Sequence, residues 1–156
     1  MKIQLHKRET FFICGYSVET TLAENDKDVS SLYDDFFMNN RETILKNLHG
    51  YKKGFYGLSW YTHGHEKYCY LLGVEVGPNN AVPDKTTIRQ VPETLFAIAH
   101  FAPGEDIIKS WSDFFYNKIP EAGLKVNEEL NLYFEYYPFN VHGDYELWVP
   151  VKKIDA

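Results

Sequence analysis

The sequence predicts an α+β fold of duplicated βαββ units with pseudo-twofold symmetry. About eight largely antiparallel strands carry helices on one face and leave a groove on the other. Segments of the first half recur in the same order in the second half, and each half has one helical pattern among strand patterns. A chain of 156 residues, 44% hydrophobic and 24% charged, has the length for one packed core. We therefore predict a single domain, residues 1–156, with an internal repeat of 1–78 and 84–153.

The internal repeat rests on three matched pairs of segments. In order of increasing separation along the chain, the pairs are Ser59–Val76 with Phe134–Val151, Asp35–Phe37 with Asp113–Phe115, and Glu9–Ile13 with Glu93–Ile98. Their shared order indicates a duplicated unit whose loops have changed in length. When Ser59–Val76 is aligned with Phe134–Val151, Trp60 matches Glu135 and Gly73 matches Trp148.

The first unit begins with a strand at Phe11–Val18, where β-branched and aromatic residues dominate. A helix follows, capped by Asp28 or Ser30 and closed by Gly50. Its apolar residues recur at helical spacing and form one stripe. The stripe comprises Val29, Leu32, Tyr33, Phe36, Phe37, Ile44 and Leu48.

The second unit follows a linker bounded by Pro78 and Pro83. It begins with a strand at Thr86–Phe101 and continues with a helix at Asp106–Lys118, which ends before Pro120. The residues predicted to face inward on this helix are Ile107, Trp111, Phe114 and Phe115. The predicted hairpin strands are Phe55–Thr62 with Lys67–Val76 in the first unit and Glu129–Tyr137 with Asp144–Lys152 in the second.

Composition excludes several classes of function. The net charge is −6, from 16 basic and 22 acidic residues, and no basic run is present, which argues against direct nucleic-acid binding. No segment has the character of a signal peptide or a membrane span, so we expect a cytoplasmic protein that does not bind membranes. No motif indicates a cofactor. His63, His65, Glu66 and His142 lie near predicted solvated turns, and we predict no metal site there.

Glu135 is the most unusual residue of the predicted sheet, because strand propensity disfavours a carboxylate in the middle of an aromatic strand. With a period of two, alternate residues from Leu132 to Tyr136 share one face, which we expect to pack against the helices. Glu135 then points into the groove on the other face, between Tyr133 and Tyr137. Burial there is costly unless the carboxylate is paired or protonated. An ordinary exposed strand residue is the alternative, and the pattern alone does not decide.

Aromatic residues are predicted to wall the groove around this carboxylate. Trp60 matches Glu135 in the repeat, so we expect it to face the same groove from the other half. The candidate ligand-binding residues are Glu135, Trp60, Tyr133, Tyr137 and Trp148. Aromatic faces around one carboxylate suit a lipophilic cation, because cation–π attraction and ion pairing both strengthen away from water.

Five segments in order carry a family resemblance over nearly the whole chain: Glu9–Gly15, Phe55–Ser59, Ile107–Phe115, Phe134–Tyr137 and Glu146–Val151. On these segments the chain resembles the gyrase-inhibitor-like small-molecule-binding family, which also forms the effector-binding domain of bacterial multidrug-responsive transcription activators. The resemblance implies a duplicated βαββ fold with a ligand groove at the junction of the units. It also implies that Glu135 contacts the cation and that Trp148 forms a pocket wall.

This resemblance implies a binder of bulky hydrophobic, often cationic, aromatic compounds, for sensing or sequestration in transcription-linked drug response. The chain begins at the effector-binding domain, so we expect a standalone protein with a small-molecule ligand and, as an option, a protein partner for signalling. Some family members are similar to enzymes that open strained cyclopropane rings of DNA-alkylating natural products. In that alternative, Glu135 is the general base and Trp60 its catalytic partner. A protein-interaction module is the third option.

Overall fold

The structure is a computed structural model, and it describes residues 2–39, 45, 53–63, 66–77, 83–138 and 143–154. The strands are β1 Ile3–Arg8, β2 Phe11–Thr21, β3 Gly54–His63, β4 Lys67–Val76, β5 Thr87–Val91, β6 Thr94–Phe101, β7 Leu124–Val126, β8 Tyr133–Pro138 and β9 Tyr145–Lys153. The helical segments are α1 Asn25–Met38, α2 Ile107–Asp113, a π-helical segment Phe114–Lys118 and a last turn, α3, Ile119–Glu121.

The strands form one antiparallel sheet with the order β1-β6-β9-β8-β3-β4-β2-β5, and β7 pairs with β9 outside this row. This order is symmetric about the junction of β8 and β3. On each side of this junction lie an inner hairpin, then the strand that precedes the helix of the same unit, and finally an edge strand from the other unit: β5 pairs with β2, and β1 pairs with β6. The α+β prediction of duplicated, largely antiparallel βαββ units is confirmed.

The sheet curls, because residues from distant strands meet across one of its faces. Arg8 at the end of β1 forms an ion pair with Glu75 of β4 and lies over the Phe11 ring of β2. We call this face the inner face. It encloses a core of its own, which includes Phe11, Ile13, Tyr56, Leu58, Leu71, Val91, Phe96, Ile98, Leu132, Phe134 and Trp148.

The two helical layers cover the opposite face, which we call the helix face. From α1, the buried Leu32 and Phe36 pack among residues of β2, β3 and β4. Asp106 caps the first turn of α2, accepting hydrogen bonds from two backbone N–H groups, and Phe114 of the π-helical segment packs against β6 and β9. Tyr137 of β8 packs against the clusters under both helical layers, so it marks their junction.

Several predicted boundaries differ from the structure. The predicted strand Thr86–Phe101 is two strands, β5 and β6, separated at Pro92, which lacks the N–H that a continuous ladder needs. The last predicted hairpin begins at Tyr133 rather than Glu129. The continuation of the first helix to Ile44, Leu48 and Gly50 lies outside the described residues, as do Pro78, His65 and His142; Leu45 is helical and buried. No helix in the described ranges is long and apolar enough to span a bilayer.

The strand register corrects the sequence alignment of the two units. Leu72 and Leu147, which the alignment matches, pair with Gly57 and Glu135 respectively. The counterpart of Glu135 is therefore Gly57, not Trp60. Gly57 and Glu135 also pair with each other across the β3–β8 junction, which puts both residues at the pseudo-twofold axis. The predicted match is out of register by an odd number of positions, and an odd shift exchanges the two faces of a strand.

Candidate ligand-binding site

Glu135 lies on the helix face, at the junction of the two helical layers. Its side chain is buried, with 8% of its surface exposed. Its Oε1 atom accepts hydrogen bonds from the hydroxyls of Tyr70 (2.7 Å) and Tyr137 (3.0 Å), and its Oε2 atom accepts one from Trp111 Nε1 (2.9 Å). Because Trp111 belongs to α2, the prediction that Glu135 lies on the face away from the helices is wrong.

The first unit also reaches this carboxylate, through a relay of hydroxyls. The Tyr33 hydroxyl of α1 lies 2.7 Å from the Tyr70 hydroxyl. Because the Tyr70 hydroxyl donates its hydrogen to Glu135, the Tyr33 hydroxyl is the donor in this second hydrogen bond. Tyr33 matches Trp111 when the two helices are aligned through their Asp-Phe-Phe segments. Equivalent positions of the two helices therefore approach one carboxylate from opposite sides of the axis.

Gly57 provides the space into which the carboxylate and the Tyr70 hydroxyl fit. A methyl group at this position would collide with the Tyr70 hydroxyl and would lie 2.6 Å from Glu135 Oε1. Gly57 lies within β3 rather than at a turn. Its role is therefore a close side-chain approach rather than a turn.

Among the described residues, the groups that donate hydrogen bonds to Glu135 are all neutral. Burial raises the pKa of the Glu135 carboxyl, and the hydrogen bonds from Trp111, Tyr70 and Tyr137 act in the opposite direction. Burial raises the pKa of the Tyr33, Tyr70 and Tyr137 phenols, and the adjacent carboxylate raises them further, so these hydroxyls keep their protons. Within the described ranges, no basic side chain forms an ion pair with Glu135.

The structure separates the predicted site residues between the two faces. Glu135 and Tyr137 meet, and Tyr133 lies on the same face, with its ring 5.6 Å from that of Phe115. Trp60 and Trp148 pack on the inner face, so the prediction that they wall a groove around Glu135 is wrong. The physical reason is the curl of the sheet, which gives β8 a packed core on each of its two faces. The alternation of polar and apolar residues, which normally shows which face of a strand is buried, is therefore missing.

Sequence reasoning missed three residues of this network. Periodicity assigns Trp111 to the core of its helix and Tyr33 to the apolar stripe. For Tyr70, the sequence shows only that the residue lies in the segment Ser59–Val76, which matches Phe134–Val151 in the repeat. The sequence signal that could have found them is the polar end of each ring, since a buried Tyr or Trp needs a hydrogen-bond partner.

Aromatic side chains surround Glu135 in the described part of the chain and leave only 8% of its surface exposed. A cavity of about 530 Å³ lies elsewhere, beside α1, where residues such as Ser17, Asp28 and Asp34 line it and Glu135 does not. A ligand that reaches Glu135 must therefore displace at least one of the rings that donate to it.

A family model and several solved structures are similar to this chain over nearly its whole length. The family model described as integron-associated effector binding protein matches residues 4–151. No curated protein matches the chain at a significant level. The solved structure of SAV2435 bound to tetraphenylphosphonium has a TM-score of 0.80 at 16% identity, covering 97% of this chain and 94% of that chain.

Two further solved structures are similar over nearly their whole length. The integron cassette protein of Vibrio cholerae has a TM-score of 0.66 at 14% identity, covering 96% of this chain and 95% of that chain. The C-terminal domain of EcmrR has a TM-score of 0.63 at 10% identity, covering 98% of both chains. These similarities confirm the predicted resemblance to gyrase-inhibitor-like effector-binding domains.

Proposed function

The chain belongs to the integron-associated effector-binding proteins, and we propose that it binds bulky aromatic lipophilic cations on the helix face, with Glu135 as the counter-charge. The observation that carries this proposal is a buried carboxylate whose hydrogen-bond donors, within the part of the chain that the structure describes, are all neutral. A carboxylate without a basic partner gains most from a cation supplied by a ligand, because the surrounding medium screens little.

The surrounding rings support the choice of an aromatic cation. Tyr33, Tyr70, Tyr137 and Trp111 all point a polar group at Glu135 or at its donor, so an apolar ligand that reached Glu135 would lie among aromatic rings. Aromatic faces attract cations by their quadrupole, and this attraction grows when water is excluded. The similar fold of SAV2435, solved with tetraphenylphosphonium, is consistent with this ligand class.

Entry of the ligand requires a rearrangement, since the site is closed in this structure. Trp111 and Tyr137 are the half-buried donors to Glu135, whereas Tyr70 is buried. We therefore propose that the Trp111 or Tyr137 ring moves first and then packs against the ligand. In this role the domain senses or sequesters the compound, and the rearrangement of these rings is the change that a protein partner would detect.

The hydrolase alternative is weakened by the position of Trp60. That alternative assigns proton transfer to Glu135 and a partner role to Trp60, but the two residues lie on opposite faces of the sheet. Turnover of a cyclopropane-bearing alkylator, lost in Glu135→Gln, would restore the hydrolase assignment.

The test compares tetraphenylphosphonium with tetraphenylborate, which have the same shape and opposite charge. We expect saturable binding of the cation and much weaker binding of the anion at this site. Glu135→Gln removes the charge. The loss of a charge-assisted contact of about 1.5–3 kcal/mol should lower the affinity for the cation by roughly 10- to 150-fold. The matched control is Glu146→Gln on the inner face, which should change affinity by less than about twofold. Equal losses in both variants would reject Glu135 as the counter-charge.

A further inference from the structure

Arg89 of β5 is a basic residue whose guanidinium forms no ion pair among the described residues. The guanidinium lies over the Trp60 ring, with Cζ 4.7 Å from the ring centroid. Its Nε atom is buried and has no hydrogen-bond partner in the described part of the chain. A buried donor without an acceptor is rare in folded proteins, and the guanidinium as a whole has no anionic partner within the described ranges.

Arg8 is an arginine on the same face whose guanidinium is paired within the protein, and it can be compared with Arg89. Arg8 forms an ion pair with Glu75, donates to the Tyr56 hydroxyl at 3.2 Å and lies over the Phe11 ring. Both arginines therefore stack on an aromatic ring of the inner face, but within the described ranges only Arg8 has a carboxylate partner. The protein has 22 acidic residues, yet none of the described ones forms an ion pair with Arg89.

Polar groups able to donate a hydrogen bond lie near Arg89 along the strand edge. Thr87 lies two residues before Arg89 and so shares its side of β5, and its hydroxyl lies 3.4 Å from that of Ser17. Arg89 and Trp60 are half-buried and Ser17 is exposed, so the group is open to solvent.

We propose that Arg89 and Trp60 form a second ligand site, on the inner face, for a small organic carboxylate. The guanidinium presents its N–H groups as a planar fork, which matches the two oxygens of a carboxylate. The indole holds the plane of the guanidinium and offers the rest of its surface to the apolar body of the ligand. This site has the opposite charge preference to Glu135 and does not depend on the function proposed above.

Glu19 lies near the proposed site, and its negative charge weakens the binding of a carboxylate there. Glu19 and Arg89 both act on the Cys69 thiol, whose pKa is raised by burial; the charge of Glu19 raises it further and that of Arg89 lowers it. Cys69 pairs with Trp60 on one side and with Glu19 on the other. The Glu19 carboxylate accepts a hydrogen bond from the Thr62 hydroxyl at 3.0 Å and so is held near the site.

The experiment titrates the protein with 1-naphthoate and with the neutral 1-naphthamide. Binding is followed by the three indole N–H signals in a ¹⁵N-tryptophan spectrum, with Trp60→Phe identifying the signal of Trp60. We expect naphthoate to shift the Trp60 signal saturably and naphthamide to bind at least about tenfold more weakly. Arg89→Gln should weaken naphthoate by at least about tenfold, and Glu19→Gln should tighten it about two- to threefold.

Arg8→Gln is the matched control, because it removes the same charge from the same face. It should change naphthoate affinity by less than about twofold, since its charge is held by Glu75 and acts on the ligand only through screened solvent. Equal weakening by Arg8→Gln and Arg89→Gln would mean that net charge, not the Arg89 site, attracts the anion. A Trp60 signal that does not move, or equal binding of naphthoate and naphthamide, would overturn the proposal.

Discussion

Each face of the sheet holds a glutamate that accepts a hydrogen bond from a tryptophan, and the two pairs differ in what surrounds them. On the helix face, Trp111 donates to Glu135 at 2.9 Å, and the other donors are phenols. On the inner face, Trp148 donates to Glu146 at 3.0 Å, and the His100 Nδ1 atom lies 3.1 Å from the other carboxylate oxygen.

This difference supports the proposal that the cation binds on the helix face. Two inner-face carboxylates have basic partners within the protein, since Glu75 pairs with Arg8 and His100 lies beside Glu146. A ligand cation at Glu146 or Glu75 would compete with an existing partner, whereas at Glu135 it would supply a charge that the described part of the fold does not provide. Aromatic content alone does not distinguish the two faces, because both are rich in Tyr, Phe and Trp.

The largest expected effect comes from Gly57→Ala, which tests whether the helix-face pair depends on the space at the pseudo-twofold axis. The added methyl group would displace the Tyr70 hydroxyl and the Glu135 carboxylate. Loss of two hydrogen bonds to a charged group, roughly 3 kcal/mol or more, should weaken tetraphenylphosphonium by about a hundredfold. Isothermal titration measures this change, and circular dichroism checks the fold.

Ser59→Ala is the control for Gly57→Ala, because Ser59 lies two residues further along β3 on the same face. We expect its affinity to stay within about twofold of the wild type. If Gly57→Ala binds the cation as well as the wild type does, the axis is not the binding position.

The second prediction uses pH to separate the two faces. Because burial raises the pKa of Glu135, the folded protein keeps this proton at pH values where the unfolded chain has lost it. The folded state binds more protons in that interval, so stability falls as pH rises from the unfolded value of about 4.3 through the folded pKa. Denaturant titrations between pH 4 and 8 should show this fall in the wild type and in Glu146→Gln, but not in Glu135→Gln.

Binding of the cation should change with pH in the opposite sense. Tetraphenylphosphonium favours the charged carboxylate, so its affinity should fall by up to about tenfold per pH unit below the folded pKa. An affinity that is constant over this range, together with a pH-independent difference in stability between Glu135→Gln and wild type, would show that Glu135 is ionised and solvated. The contrast between the two faces would then disappear.

The order of elements and the unusual position of Glu135 among aromatic residues could be predicted because both depend on local pattern. Strand and helix periods are short, and a carboxylate within Phe134–Tyr137 is conspicuous wherever the strand lies. The face to which Glu135 points could not be predicted in this way. Period two separates the two sides of β8, but both sides are apolar because the curled sheet has a core on each side.

Trp60 shows a second limit of sequence patterns. The sequence alignment uses one offset for both strands of the hairpin, although the register places the counterpart of Glu135 earlier in β3, at Gly57. A change in loop length between the units causes such a shift, and an odd shift moves a residue to the other face. Trp111 escapes sequence patterns for a different reason: its ring is part of a packed helix, and only its Nε1 atom shows that it serves the site.

The smallest expected effect is also the most direct test of the contrast, since it changes the same atom on the two faces. Trp111→Phe and Trp148→Phe each keep an aromatic ring and remove one indole N–H from a glutamate. A hydrogen bond to a charged group contributes about 1.5–3 kcal/mol, but the vacated oxygen of Glu135 becomes available to the ligand or to water, so we expect a net loss of about 1 kcal/mol, roughly fivefold in tetraphenylphosphonium affinity. Trp148→Phe should leave that affinity within about twofold, because Glu146 keeps His100 and lies on the other side of the sheet.

Trp111→Phe should also move the pH midpoint of cation binding upward, since a donor that favours the charged carboxyl is gone. A midpoint that moves equally in both variants would mean that the two faces are coupled and that the neutral shell around Glu135 does not by itself define the site.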